Sequence, residues 1–306
     1  MLETSLSCSD LKPLPGNEVG LAVLGWPIKH SISPDLHNSA LSKLAIEKPE
    51  FCNWSYSKIE VESSKLKEVL PKLWEYGYRG LNLTIPHKVE VLPLLETIEP
   101  SARVMGAVNT LIRSESGWSG LNTDGYGLEC GLKENLGVSI SASEILLLGA
   151  GGAARATAAQ CLKGGCSKLW IGNRSADRLN EMVAILEENY GKGRIHPFLL
   201  SKVPGRLYEV DDLIIINSTS LGLKDSDDVP FDLNQVSENC RVYDMIYNPS
   251  KTKFLETAEA RNLLFSNGLS MLVHQAVRSL EHWTNEEISL HAMYQGAHKA
   301  LGKKFG

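Results

Sequence analysis

Four consecutive apolar residues, Ile145-Leu146-Leu147-Leu148, run directly into Gly149-Ala150-Gly151-Gly152-Ala153-Ala154. A continuous apolar run of this length suits a strand buried on both faces of a parallel sheet. A helix is expected from Arg155 to Leu162, so the turn fits Gly-x-Gly-x-x-Ala in a strand–turn–helix setting. Each small residue has a physical reason. Gly149 permits the tight turn, Gly151 lets backbone N–H groups approach a pyrophosphate, and Ala154 allows close helix–strand packing. The helix N-terminus adds its own attraction for an anion. The stretch from Glu144 to Arg174 therefore reads as a dinucleotide-binding βαβ unit.

The far end of that unit selects the cofactor. An NAD site carries Asp or Glu at the tip of the next strand, about 20 residues on, to accept from the ribose hydroxyls. Here the strand ends Ile171-Gly172-Asn173-Arg174-Ser175, with Arg178 one turn later and no carboxylate at the tip. Arg174 can stack on adenine or pair with a 2′-phosphate, and Ser175 and Arg178 can add donors. NADP is favoured over NAD.

The rest of the chain alternates strand with helix, the signature of an α/β fold with a parallel sheet. Leu21–Leu24, Trp54–Val61 and Gly80–Ile85 read as strands, and Val108–Ile112 with Trp118–Leu121 as a hairpin. Ser33 is expected to cap a helix with Pro34 at its first position and Leu36, Ala40, Leu41 and Leu44 on one face. Further strands are expected at 168–171, 213–216, 242–246 and 263–265, and final helices from Met271 to about Leu301. The expected organisation is an N-terminal α/β substrate domain, residues 1–123 and 268–306, and a Rossmann-like NADP-binding domain, residues 124–267. The C-terminal helix returns to the first domain, because a long terminal helix needs an apolar surface to cover.

The 306 residues suit two domains, and 43% hydrophobic residues suffice for two cores. A net charge of −5 gives no electrostatic reason to bind nucleic acid or an anionic membrane, and Lys303-Lys304 reads as a solvated tail. No apolar run approaches the ~20 residues that span a bilayer. The N-terminus lacks a basic segment followed by an apolar one, so a cytoplasmic location is expected, with a poorly ordered start through Leu11 to Gly16. Six cysteines without a Cys-x-x-Cys pair, and scattered histidines, point to reduced structural thiols and no metal site.

Polar clusters gather at the expected strand ends, where ligands bind in open α/β sheets. Ser31-Ile32-Ser33 places two hydroxyls before a helix start, a good position for a carboxylate. Asn82 and Thr84 alternate along one strand and His87-Lys88 follow Pro86. Asn109 and Asn122-Thr123-Asp124 close the hairpin. Singly, each is an ordinary turn residue. His87 is read as structural, beside Lys88.

Taken together these stretches closely resemble the shikimate dehydrogenase family. The resemblance rests on Gly25-Trp26-Pro27-Ile28-Lys29-His30-Ser31-Ile32-Ser33-Pro34, Asn82-Leu83-Thr84-Ile85-Pro86-His87-Lys88, Gly106-Ala107-Val108-Asn109-Thr110, Asn122-Thr123-Asp124-Gly125 and the glycine turn. It continues through Gly172-Asn173-Arg174-Ser175, Asn217-Ser218-Thr219-Ser220-Leu221-Gly222, Tyr243-Asp244-Met245-Ile246-Tyr247-Asn248-Pro249 and Gly268-Leu269-Ser270-Met271-Leu272-Val273-His274-Gln275-Ala276. These motifs run in the family's order from about Leu21 to Trp283. The chain departs from the family at Ser270, often Gly, and at Leu223, commonly Met.

The resemblance implies reversible, NADP-linked interconversion of shikimate and 3-dehydroshikimate, in aromatic amino-acid and chorismate biosynthesis. Ser31 and Ser33 would hold the carboxylate, and Asn82, Thr84, Asn109, Asp124 and Gln275 the ring hydroxyls with Lys88. Lys88 and Asp124 would be the catalytic pair. Gly149, Ala150, Gly151, Gly152 and Ala153 would cradle the pyrophosphate, Asn173, Arg174, Ser175 and Arg178 would hold the adenosine phosphate, Thr219, Met245 and Gly268 would line the nicotinamide side, and Tyr247 would reach the substrate. A homodimer is a candidate oligomeric state. The chemistry agrees: hydride leaves C3 while its hydroxyl loses a proton, and an amine can accept that proton or bind the developing alkoxide. The nearest rival is an NAD-linked quinate dehydrogenase, against which Arg174 and Ser33 argue. A non-catalytic metabolite or NADPH sensor would be expected to lose Lys88 or Asp124, and both are present.

Overall fold

The computed structural model describes residues 6–302, so the Lys303-Lys304 pair lies outside the described residues. The chain forms two compact units, one reaching to Thr123 and resuming at Val273, the other running from Asp124 to Leu272.

The first unit begins with β1 (Leu6–Ser7), β2 (Val19–Gly25), α1 (Ser33–Glu47), β3 (Trp54–Glu60), α2 (Leu66–Glu75) and β4 (Tyr78–Leu83). It continues through α3 (His87–Glu90), β5 (Thr97–Ile98), α4 (Pro100–Met105), β6 (Thr110–Arg113) and β7 (Trp118–Leu121). The seven strands form one sheet in the order β1-β3-β2-β4-β6-β7-β5. The sheet is mixed rather than purely parallel: the β6–β7 hairpin sets β6 antiparallel to both β4 and β7. The stretch Leu11 to Gly16, expected to be poorly ordered, has a defined course. Leu11 and Leu14 pack on the core, and the Leu14 amide donates to the Tyr76 carbonyl at 3.1 Å. Two apolar side chains in a polar segment supply the reason to dock.

Helix α1 buries Leu36, Ala40, Leu41 and Leu44, the face the spacing predicts. Its start differs from expectation. Ser33 is already helical and Ile32 occupies the cap position, with no side-chain capping bond. The Ser33 hydroxyl is therefore not consumed by the helix terminus.

The second unit comprises α5 (Asp124–Leu136), β8 (Glu144–Leu148), α6 (Gly152–Lys163), β9 (Lys168–Asn173), α7 (Ala176–Tyr190) and β10 (Ile195–Leu199). After these come β11 (Ile214–Asn217), β12 (Arg241–Asp244), α8 (Lys253–Ala260) and β13 (Leu264–Asn267). All six strands are parallel, in the order β10-β9-β8-β11-β12-β13. Successive side chains of a strand face opposite ways, and Ile145 to Leu148 are all fully buried, so both faces of β8 are covered. Progression to one side of β8 and then to the other puts a topological switch beside its C-terminal end, where open α/β sheets bind ligands.

Helix α9 (Leu269–Thr284) begins in the second unit and ends in the first, and α10 (Leu290–Ala300) then packs on α1. The C-terminal helix thus returns to the N-terminal sheet unit. No helix among the described residues is long and apolar enough to cross a membrane.

One buried side chain in the first unit is out of keeping with its surroundings. His37 lies on the inner face of α1, 1% exposed, with its ring stacked on Tyr56 at 4.0 Å and an interplanar angle of 3°. The Trp283 ring is 5.7 Å away. Neither imidazole nitrogen has a hydrogen-bond partner. Burial disfavours the charged form and pushes the His37 pKa down to about 3. The sign follows by linkage. Near pH 7 both folded and unfolded chains hold a neutral imidazole. Below the ordinary value of 6.5 the unfolded chain takes up a proton that the folded chain refuses, so stability falls toward pH 3. The maximum slope from one such site is ~1.4 kcal/mol per pH unit. His37→Phe should reduce the loss of stability between pH 6.5 and 4 by a few kcal/mol, measured by urea unfolding at several pH values. Parallel pH profiles for the two proteins would contradict a buried, neutral His37.

Candidate active site

The C-terminal ends of β2, β4 and β7 and the N-terminal start of β6, which runs antiparallel to β4, carry the polar residues of the first unit. Ser31 and Ser33 are half-buried between β2 and α1, and the Ser31 hydroxyl donates to Ser33 Oγ at 3.2 Å. The Ser33 amide donates to Ser31 Oγ at 3.3 Å, which holds the two hydroxyls together. Thr84 follows β4, its amide bonded to the Leu24 carbonyl at 2.9 Å. Its methyl group occupies the place a side chain at Gly25 would need, 2.4 Å from an ideal Cβ there.

Asn82 is almost fully buried, and its amide is spent internally. Nδ2 lies 3.1 Å from the Asn109 carbonyl, Thr110 Oγ1 and Ser279 Oγ, while Oδ1 accepts from the Tyr56 phenol at 2.8 Å. Asn109 continues the network. Its Nδ2 donates to Thr123 Oγ1 at 3.0 Å and Gln275 Oε1 at 3.3 Å, and its Oδ1 accepts the Thr123 amide at 2.8 Å. Ser279 closes the set by donating to the Gln275 carbonyl one turn earlier on α9. These bonds join β3, β4, β6, the end of β7 and α9. Asn82, Asn109 and Gln275 are thus brought together. Tyr56 and Ser279 belong to the same cluster, although no local sequence motif marks either. The only sequence signal was the position of Ser279, one helical turn after Gln275.

Lys88 sits in the single turn α3, half-buried, with its carbonyl accepting the Val108 amide at 2.8 Å. Its neighbour His87 is fully buried, with Nε2 bonded to the Val61 carbonyl at 2.7 Å and Nδ1 3.2 Å from Glu90. His87 therefore anchors the turn that presents Lys88, which matches its reading as structural. Asp124 is the first residue of α5 and is 4% exposed.

In the second unit Gly149 has φ +114°, a conformation open to glycine, and its amide donates to the Gly172 carbonyl at 2.8 Å. Gly151 caps α6, and a Cβ there would meet nothing within 4 Å, so the backbone around it is approachable. Ala154 is fully buried where α6 meets the sheet. At the tip of β9, Asn173 Nδ2 donates to the Ser175 carbonyl at 2.9 Å and shapes the turn into α7. Arg174 and Arg178 are exposed, and neither forms an ion pair among the described residues. Two unpaired guanidiniums beside a strand tip without a carboxylate suit a phosphomonoester, and the open glycine turn suits a pyrophosphate.

The ends of β11 and β12 are tied by a buried carboxylate. Asp244 accepts from Asn217 Nδ2 at 3.0 Å, the Ile246 amide at 3.1 Å and the Thr252 hydroxyl at 2.6 Å. Burial raises the Asp244 pKa, against those three bonds. Asn217 Oδ1 in turn accepts the Thr219 amide and hydroxyl. This clasp fixes Thr219 and the start of the Met245 segment. Gly268 lies so close to Met245 that a Cβ would be 2.0 Å from the Met245 carbonyl oxygen, so no side chain fits. Tyr247 is half-buried, and burial pushes its phenol pKa up. Ser270, the departure from the family pattern, lies 3.0 Å from the Tyr243 hydroxyl, which also accepts the Met271 amide at 3.2 Å. The pair pins the first turn of α9 to β12, and burial drives the Tyr243 pKa up to about 12.

A parallel sheet with a glycine turn at its switch point defines a dinucleotide-dependent oxidoreductase, here joined to a second α/β unit rich in buried polar side chains. Residues 23–111 match the family described as the shikimate dehydrogenase substrate binding domain, and 132–224 match shikimate / quinate 5-dehydrogenase. Residues 268–295 match the shikimate 5′-dehydrogenase C-terminal domain. A shikimate dehydrogenase (NADP(+)) of Desulforamulus reducens is 34% identical over 92% of this chain and 95% of its own length. Its counterpart in Geobacter metallireducens is 37% identical over 87% and 91%. Among solved structures, the Thermus thermophilus enzyme in complex with NADP(H) and shikimate aligns with TM-score 0.79 and 32% identity, covering 92% of this chain and 99% of that one. The chain belongs to the shikimate dehydrogenase family.

The exposed arginines give a direct test of cofactor reading. Arg174→Ala should raise the Kd for NADPH about 10- to 100-fold, the loss of a charge-assisted hydrogen bond, and leave the Kd for NADH nearly unchanged. Fluorescence titration with each nucleotide measures both, and equal weakening would remove Arg174 from phosphate recognition.

Proposed function

We propose that this chain is an NADP-dependent shikimate dehydrogenase that reversibly reduces 3-dehydroshikimate to shikimate in aromatic amino-acid biosynthesis. The observation that carries the reading is the joint presence of a carboxylate-free, arginine-bearing β9 tip and a half-buried serine pair at the end of β2. The first suits a 2′-phosphate and the second suits a substrate carboxylate.

The cofactor, NADP, supplies or accepts the hydride when bound. Gly149 to Ala153 hold its pyrophosphate, Asn173, Arg174, Ser175 and Arg178 its adenosine phosphate, and Thr219, Met245 and Gly268 flank the nicotinamide. Ser31 and Ser33 hold the carboxylate by hydrogen bonds from their hydroxyls and orient the ring. Asn82, Thr84, Asn109 and Gln275 bind the ring hydroxyls, Asn82 through the acceptor capacity its Oδ1 keeps beside the Tyr56 bond, and Tyr247 reaches the substrate. Lys88 exchanges the proton of the reacting hydroxyl and binds the developing alkoxide, while Asp124 orients the hydroxyl and the amine. The domain reading goes with these roles: residues 1–123 and 268–306 for substrate, 124–267 for NADP. A cytoplasmic location fits six free thiols, and a homodimer is the oligomeric state to test by light scattering.

NAD-linked quinate oxidation is the second reading. It is disfavoured because no acidic side chain stands at the β9 tip to accept from ribose hydroxyls.

General acid–base catalysis by a positioned side chain contributes roughly 10²–10⁴ in rate. Lys88→Ala should therefore lower kcat by about that factor while KM for shikimate changes only a few-fold. Steady-state kinetics measures the split, and a near-normal kcat would remove Lys88 from the chemistry.

A further inference from the structure

Ser279 lies beyond the motif that ends at Ala276, yet its hydroxyl sits where four elements meet. The residue is fully buried on α9. Its Oγ lies 3.1 Å from Asn82 Nδ2 on β4, 2.9 Å from Thr110 Oγ1 on β6 and 3.2 Å from Thr123 Oγ1 just after β7. It also donates to the Gln275 carbonyl, one turn back on its own helix, at 3.0 Å. A carbonyl only accepts, so that bond takes the serine's one proton. Ser279 Oγ is thereby an acceptor toward Asn82 and Thr110. Thr110 can send its own proton to Ser279 or to Asn109 Oδ1, both at 2.9 Å. With these neighbours in place the hydroxyl has no bond left for a ligand, so its effect on binding passes through the residues around it.

The hydroxyl does little for its own helix. A serine that bonds back to the carbonyl four residues earlier slightly weakens a helix, and alanine is the better helix former. Its value lies in the contacts to the strands, 156 to 197 residues away in sequence. Gln275 meets the same strands through Oε1, which receives Asn109 Nδ2 at 3.3 Å and Thr123 Oγ1 at 3.4 Å. Both are long for hydrogen bonds, so a small retreat of α9 would break them. Ser279, four residues on and on the same face, makes the shorter contacts. The sense of the Gln275 amide is fixed as well. The Thr123 backbone N–H donates to Asn109 Oδ1 at 2.8 Å, so Asn109 turns Nδ2 toward Gln275, and Gln275 must meet it with Oε1.

We propose that Ser279 is a positioning residue for Gln275: it pins α9 to β4 and β6 and so sets the distance at which the Gln275 amide meets Asn109 and the substrate. Loss of its hydroxyl leaves Asn82 satisfied, because the Asn109 carbonyl and Thr110 Oγ1 remain for the two protons of Nδ2. The consequence falls on α9. The inference rests on the assignment of Gln275 to the ring hydroxyls made above.

A double-mutant cycle with Ser279→Ala and Gln275→Ala tests it on the full chain, with KM and kcat for shikimate at saturating NADP+. Ser279→Ala should raise KM about fivefold, within the worth of one hydrogen bond, with a smaller change in kcat and an unchanged KM for NADP+. In the Gln275→Ala background the same substitution should add less than about twofold, because the group it acts through is gone. An equal factor in both backgrounds overturns the proposal and leaves the role of Gln275 standing. A normal KM in Gln275→Ala alone overturns both. Ser279→Cys separates hydrogen bonding from packing, because a thiol fills the space but bonds weakly. It should raise KM several-fold, as alanine does, and it carries the test should Ser279→Ala fail to fold. A normal KM in a folded Ser279→Cys protein marks a packing effect and overturns the proposal.

Discussion

The buried amide of Asn82 is the point from which the polar half of the first unit is built. It is 6% exposed and contacts acceptors on β6 and α9 while accepting from β3. A buried amide left unpaired costs about 1–3 kcal/mol per group, whereas a fully paired one specifies a single arrangement. Because Asn82 is satisfied by strands and a helix distant in sequence, those elements cannot slide without breaking several bonds at once. Asn109, Thr123 and Gln275 inherit their positions from this constraint.

The second unit solves a different problem with backbone rather than side chains. A phosphate cradle needs N–H groups and room, and both come from glycine at the end of a fully buried strand. The side-chain work lies beside it. Asp244 gathers three donors and freezes the ends of β11 and β12, from which Thr219 and Met245 project. Leaving Arg174 and Arg178 exposed and unpaired costs the folded protein little, since an exposed guanidinium stays hydrated.

Much of this was legible in the sequence where the cause is local. The apolar run Ile145 to Leu148, the positive φ at Gly149 and the inner face of α1 each follow from short-range chemistry. The α/β class and the return of the C-terminal helix were legible too. Strand β10 was not anticipated, because Pro197 argues against a strand. It is an edge strand paired only with β9, where a missing N–H is tolerated. Ser33-Pro34 reads as cap and first turn, yet the helix starts one residue earlier, and the serine is left for other partners. Tyr56 could not be seen at all. Its partner Asn82 is 26 residues away, and only the pairing of β3, β2 and β4 brings them together.

Under the proposed function, a serine pair and an arginine-bearing strand tip select a shikimate-type carboxylate and NADP together. Initial rates of the purified chain with shikimate or quinate, each crossed with NADP+ or NAD+, test it most directly. Shikimate with NADP+ should exceed the other three combinations in kcat/KM, by at least about tenfold over shikimate with NAD+, the value of one charge-assisted contact to the phosphate. A preference for quinate with NAD+, or equal rates with either cofactor, would contradict it.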